Sequence, residues 1–182
     1  MISLAYAGTY PAQVSRLGVL DGAFLSGSRR TPIHEQMSRW IDQLDRIAER
    51  EPSAFQTIEE AAKRLSARNK RLTPALALHL ARHGVRQGAD GLYRWKFDHY
   101  QRARAPYRLS SDEYVALWSR ITCPTLLMWG DESFLPDPEA AGLLAHFKRA
   151  ELEKIAGAGH WLHHDRLDEV LVSLRRFLGA MR

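Results

Sequence analysis

Apolar positions change their period along the chain, and the changes mark its elements. Residues 125–129, Thr-Leu-Leu-Met-Trp, form a short continuous apolar run, entered through Pro124 and closed by Gly130. A run of that length and density is the pattern of a strand covered on both faces, as in a parallel sheet. Residues 16–20 predict a second compact apolar strand, closed by Asp21-Gly22. Residues 151–155 alternate, with Leu152 and Ile155 nearest the core, and predict a third. Residues 138–149 carry Ala141, Leu144, Ala145 and Phe147 at a rough helical spacing. Leu167, Val170, Leu171, Leu174, Phe177 and Leu178 make one stripe, the mark of an amphipathic helix over 167–178. Ile2, Leu4, Ala5 and Ala7 predict a short helix near the start, which Pro11 ends.

The middle of the chain shows no strand pattern. Residues 33–50 place Ile33, Met37, Trp40, Ile41, Leu44 and Ile47 three and four apart, and predict a helix. A second helix is expected over 53–69, with Ser53 as N-cap and Phe55, Ile58, Ala62 and Leu65 inside. A third, over 73–83, opens with Thr73 as cap and Pro74 at its first position. His83-Gly84 reads as its stop. Residues 112–120 predict a last short helix, while 87–106, rich in Gly, Arg and aromatics, reads as a loop.

Composition narrows the class. The 182 residues suit one domain of ordinary size, and 45% hydrophobic residues are enough for a packed core. The single cysteine, Cys123, excludes a disulfide framework or a cysteine metal cluster and is expected to be a buried structural thiol. No stretch approaches the ~20 apolar residues of a membrane span. No basic leader precedes an apolar core, so the cytoplasm is the expected compartment. The net charge of +5 is spread along the chain, densest at Arg29-Arg30, Lys63-Arg64, 68–71 and 102–108. These runs lack interleaved aromatics and read as solvated helix faces, so no nucleic-acid or membrane partner is expected.

The chemistry concentrates near the end. Gly157 and Gly159 permit a tight turn that delivers His160 at the carboxyl end of the third strand. Strand, acidic turn, helix, strand, histidine turn and helix make the end of an open α/β sheet, where sites form at the carboxyl ends of strands. His163, His164 and Asp165 follow, but their spacing from His160 matches no metal-ligand pattern, and no metal is expected.

Cys-Pro-Thr-Leu-Leu-Met-Trp-Gly-Asp-Glu-Ser (123–133) and Gly-Ala-Gly-His-Trp (157–161) resemble the C-terminal part of the α/β-hydrolase family. Residues 1–22 look like the helix that follows that family's nucleophile elbow, and then the next strand. The resemblance implies an α/β fold with about three parallel strands, flanking helices and a helical cap. The hydrolase core would be 1–23 and 119–182, and the cap or lid insertion 24–118. It implies that His160 is the general base of a serine-hydrolase triad acting on an ester or related bond of a small-molecule substrate, with no cofactor. The family's usual acid position, three residues after the strand-ending glycine, is Ser133 here. Asp131 is the leading candidate for the acid, with Asp21, Glu132 and Asp137 as alternatives. Trp95 and Phe97 would line a pocket or pack the cap.

The family's nucleophile sits in Gly-x-Ser-x-Gly on a strained strand-to-helix turn. No serine of this sequence has that context. The expectation is a truncated hydrolase, inactive alone, with a bare strand edge on the nucleophile side that promotes self-association. The alternative is a non-catalytic fragment or interaction module.

Overall fold

The structure is a computed structural model, and it describes residues 1–25, 31–103, 105–107 and 109–179. In chain order these form α1 (Ile2–Thr9), β1 (Leu17–Leu20), α2 (Ile33–Ala48), β2 (Ala54–Phe55), α3 (Ile58–Arg68), α4 (Pro74–Gly84) and β3 (Val85–Gln87). There follow β4 (Tyr93–Trp95), α5 (Ser111–Trp118), β5 (Thr125–Gly130), β6 (Ala150–Ile155), α6 (Leu162–Asp165) and α7 (Leu167–Leu178). They fall into two compact units, Met1–Arg29 with Leu109–Arg182, and Arg30–Arg108. Of the basic runs, Arg29, Arg30, Arg104 and Arg108 lie outside the described residues.

The first unit is an α/β layer structure built on a parallel sheet of order β1-β5-β6. Leu17 faces Thr125 in the register of β1 on β5, and Thr125 faces Ala150 in that of β5 on β6. Successive side chains of a strand point to opposite faces, so the apolar run of β5 serves two cores. Leu127 joins Leu17, Val19, Leu4, Trp118 and Phe147 on one side. Leu126 and Met128 join Ile155, Leu162, Val170 and Phe177 on the other. Cys123 is a free, buried thiol in the first of these clusters. Glycine brings α1 and α5 close, because a Cβ at Gly8 would stand 2.3 Å from the Leu117 carbonyl oxygen.

Two expectations for this unit need correction. Residues 138–149 do not form a helix beyond a 3-10 turn at Leu143–His146. Gly142 takes φ +69°, a left-handed conformation that ends one turn before the next begins. In α7 the buried residues are Val170, Ser173 and Phe177, while Leu167 and Leu178 are more than half exposed. The buried Ser173 donates to Glu153 Oε1 of β6, so a polar side chain outside the predicted apolar stripe is buried and satisfied.

In the second unit α3 and α4 pack through Ala61, Ala62, Ala77 and Ala81, with Val85 completing the cluster. Thr73 caps α4 by accepting from the Leu76 N–H, and Pro74 follows it, as expected. The α3 cap is Thr57 rather than Ser53, with Glu60 returning to the Gln56 N–H. Ser53 precedes the short strand β2 instead. The unit also holds an antiparallel sheet of order β2-β4-β3, so 87–106 is not simply a loop. The missed signal is Asp90-Gly91, a hairpin dipeptide. Gly91 sits at φ +79°, and the Gly88 N–H donates to the Leu92 carbonyl across the turn. Trp95 packs edge-on against Phe55 and stacks on Phe97. No side chain of α2 is buried, and Ile33, Met37 and Ile41 of its expected stripe are exposed.

Candidate functional site

Three strand ends build the site. Asp21 follows β1, and its N–H donates to the Met128 carbonyl at 2.7 Å, extending the ladder one residue past the strand. It then turns with φ +47°, the one left-handed non-glycine among the described residues. Aspartate tolerates that region better than most residues, and such outliers persist where surrounding contacts over-determine them. The turn buries the side chain to 4% exposure.

His160 comes from the other end of the sheet. It follows β6, which is separated from β1 by β5. The turn 157–160 must therefore cross the end of β5, and it crosses over Gly130. A Cβ there would lie 2.2 Å from the Ala158 carbonyl oxygen and 2.8 Å from that of Gly159. Hydrogen bonds fix the crossing. The Asp131 N–H donates to the Ile155 carbonyl, and the Glu132 N–H to the Ala158 carbonyl at 3.0 Å. The Gly157 N–H donates to Asp131 Oδ1 at 2.7 Å, and the Gly159 N–H to Asp165 Oδ2 at 2.8 Å. Gly157 itself has φ +65°.

The crossing brings His160 Nδ1 to 2.7 Å from Asp21 Oδ2. An ionised carboxylate only accepts, so Nδ1 carries the proton and donates it to Asp21. The Ser133 hydroxyl donates to the same oxygen at 2.5 Å, and accepts from the Leu135 N–H. Asp21 Oδ1 is buried and has no hydrogen-bond partner among the described residues. The His160 ring keeps 29% of its surface open, with the rings of Phe134 and Trp161 at 4.6 and 5.2 Å between centroids. His160 Nε2 makes no hydrogen bond among the described residues.

Among the four candidate acids, the geometry therefore pairs the histidine with Asp21. Asp131 binds the Gly157 backbone instead, and its carboxylate belongs to the turn crossing. Asp137 accepts from Lys154 at 2.7 Å, which holds its carboxyl below the ordinary carboxylate range. Glu132 is exposed on the β5 turn. Ser133 is the participant that sequence reasoning passed over, although its place at the resembled acid position was the available signal.

The rings of His163 and His164 meet edge-to-face in α6, 4.2 Å between centroids. Burial pushes both below their ordinary value, a neighbouring imidazole adds to this, and Asp165 opposes it. Among the described residues no group of three His, Cys, Asp or Glu side chains is arranged to hold a metal. No helix among them is long and apolar enough to cross a membrane.

Known proteins resemble this chain in sequence and fold. Esterase YbfF of Escherichia coli (strain K12) is 28% identical over 147 residues, 76% of this chain and 55% of the esterase. A cis-3-alkyl-4-alkyloxetan-2-one decarboxylase of Shewanella oneidensis is 24% identical over 98% of this chain and 56% of its own. The chain spans about half the length of these curated relatives. A hypothetical protein of Pseudomonas aeruginosa PAO1 superposes with a TM-score of 0.80 at 22% identity, covering 98% of this chain and 62% of that one. A sequence profile of the Alpha/beta hydrolase family matches residues 1–172. With the parallel sheet and its paired aspartate and histidine in place, the chain belongs to the alpha/beta hydrolase family.

Proposed function

We propose that this chain supplies the acid and base of a serine-hydrolase site acting on an ester or related acyl bond of a small molecule. His160 is the general base and Asp21 the acid. The carrying observation is the 2.7 Å contact from a buried Asp21 to His160 Nδ1, on a ring whose other nitrogen makes no hydrogen bond among the described residues. His160 Nε2 would take the proton of an attacking hydroxyl and later return it to the leaving group. Asp21 stays ionised, holds the tautomer and stabilises the imidazolium. Ser133 steadies Asp21 by donating to the same oxygen. A carboxylate at 133 would stand within reach of Asp21, and two such groups cannot both ionise cheaply.

The nucleophile is proposed to come from a segment outside this sequence, and the chain alone to be inactive. Two facts support this. The sequence contains no Gly-x-Ser-x-Gly, and it spans about half of its curated relatives. The unit Arg30–Arg108 is proposed as the cap.

Hydrolysis of p-nitrophenyl butyrate tests the reading. The chain alone should match its His160→Ala variant. A chain extended at its N-terminus through an in-frame Gly-x-Ser-x-Gly segment should turn over. In that protein Asp21→Asn should lower kcat by about 10³- to 10⁴-fold, as loss of a triad carboxylate does elsewhere. If Asp131→Asn abolishes turnover and Asp21→Asn does not, the assignment is wrong.

One observation favours the second reading, a non-catalytic module. The outer edge of β1 bears no strand among the described residues. Beside it, Met1, Ile2, Tyr6, Val14 and Leu17 line an open apolar groove. A partner strand could pair there.

A further inference from the structure

The unit Arg30–Arg108 carries an open cavity of about 660 Å³ whose wall is rich in arginine. Arg50 follows α2, Arg64 and Arg68 lie one turn apart on α3, Arg86 is on β3, and Arg102 ends the 3-10 turn His99–Arg102. Four separate segments thus line one space with arginine. Glu51 and Asp98 are the carboxylates in its wall. Arg86 stands directly across from Arg94 in the β3–β4 register. Like charges so placed destabilise a sheet. Arg94 is neutralised by a two-armed contact with Asp90, at 2.9 and 2.6 Å. No such relief reaches Arg50, Arg64, Arg68 or Arg86, whose side chains make no hydrogen bond or ion pair among the described residues. Arg102 instead caps the Phe97 ring at 5.2 Å, and Phe97 stacks on Trp95. That stack gives the cavity a rigid aromatic floor.

These side chains are exposed on the cavity wall, where an anion from solution can reach them. They match the geometry of phosphate oxygens, which accept paired N–H donors. The volume is that of a small-molecule site. We propose that this cavity binds a small organic polyphosphate, a compound carrying two or more linked phosphate groups. The anion would bridge α3 and β3 and replace the missing carboxylates.

Calorimetric titration of the full chain with sodium tripolyphosphate, at physiological ionic strength, tests this. The expected result is saturable micromolar binding to one site, weakening steeply with added salt. Sulfate should bind far more weakly. The double variant Arg64→Gln, Arg68→Gln should lose affinity about tenfold or more, since two charge-assisted contacts go. Arg175→Gln, on α7, should bind as the parent does. Without ligand, the double variant should melt at the parent temperature or above it, because repulsion is relieved. Arg86→Gln should weaken binding and Arg86→Lys should retain part of it. Absence of saturable heat at millimolar tripolyphosphate would overturn the proposal, as would equal binding by the double variant. Tighter binding of a short single-stranded RNA than of tripolyphosphate would also overturn it, in favour of a nucleic-acid surface.

Discussion

Gly130→Ala tests the crossing on which the site depends. The added Cβ would stand 2.2 Å from the Ala158 carbonyl oxygen, and that neighbour is backbone, not a side chain that can swing away. Ordinary carbon–oxygen contact begins near ~3.4 Å, so the turn must retreat by about 1 Å, or the end of β5 must move. Overpacking of this kind costs roughly 1–3 kcal/mol. The same displacement strains the Glu132 N–H bond to Ala158 and the Gly157 N–H bond to Asp131. Each is worth about 0.5–1.5 kcal/mol when lost. A total near ~3 kcal/mol corresponds to a fall in Tm of roughly 6–12 °C for a chain of this size. The His160 contact to Asp21 must lengthen with the turn. The assay is a thermal melt by circular dichroism, with the deshielded Nδ1–H proton of His160 followed by NMR. Gly18→Ala is the control, because a Cβ there meets only Leu174 Cδ2 at 3.4 Å. It should change Tm little. If Gly130→Ala melts like Gly18→Ala and keeps the His160 proton signal, the close crossing does not position the histidine.

Trp118 is fully buried and stacks on Phe147 at 5.2 Å, but its indole N–H has no partner among the described residues. Trp118→Ala should cost about 3–5 kcal/mol, whereas Trp118→Phe, which removes the unsatisfied N–H, should cost much less; chemical denaturation measures both. Burial lowers the pKa of His163 and His164, so the unfolded chain binds more protons than the folded one in mild acid. Their contribution to stability is complete above the ordinary histidine value and is lost as pH falls through their folded pKa values. A Tm series from neutral pH down to mild acid should fall more steeply for the parent than for a His163→Leu, His164→Leu variant; parallel curves would refute the assignment. Sedimentation velocity should show association rising with concentration, through the open edge of β1. A monomer at all concentrations would rule that out.

The strands of the parallel sheet, α7, and the delivery of His160 by a glycine turn were legible in the sequence. Each rests on a local pattern: apolar runs, a helical stripe, and glycines beside a histidine. The hairpin of Tyr93–Trp95 was hidden because its strands are three residues long, too short for any period to show. The failed helix at 138–149 shows the converse, a period present in the letters and interrupted by one left-handed glycine. The partner of the histidine was beyond local reading altogether. Asp21 and His160 lie 139 residues apart, on strands that are not neighbours. Four carboxylates were candidates in the linear chain, and the leading one, Asp131, is consumed by the turn. By itself the sequence determined that there is a parallel sheet and that a histidine stands at its carboxyl edge, because burial and turn chemistry act over a few residues. Tertiary structure alone decided which acid meets that histidine, because the choice depends on strand order and on how closely one backbone passes over another at a residue without a side chain.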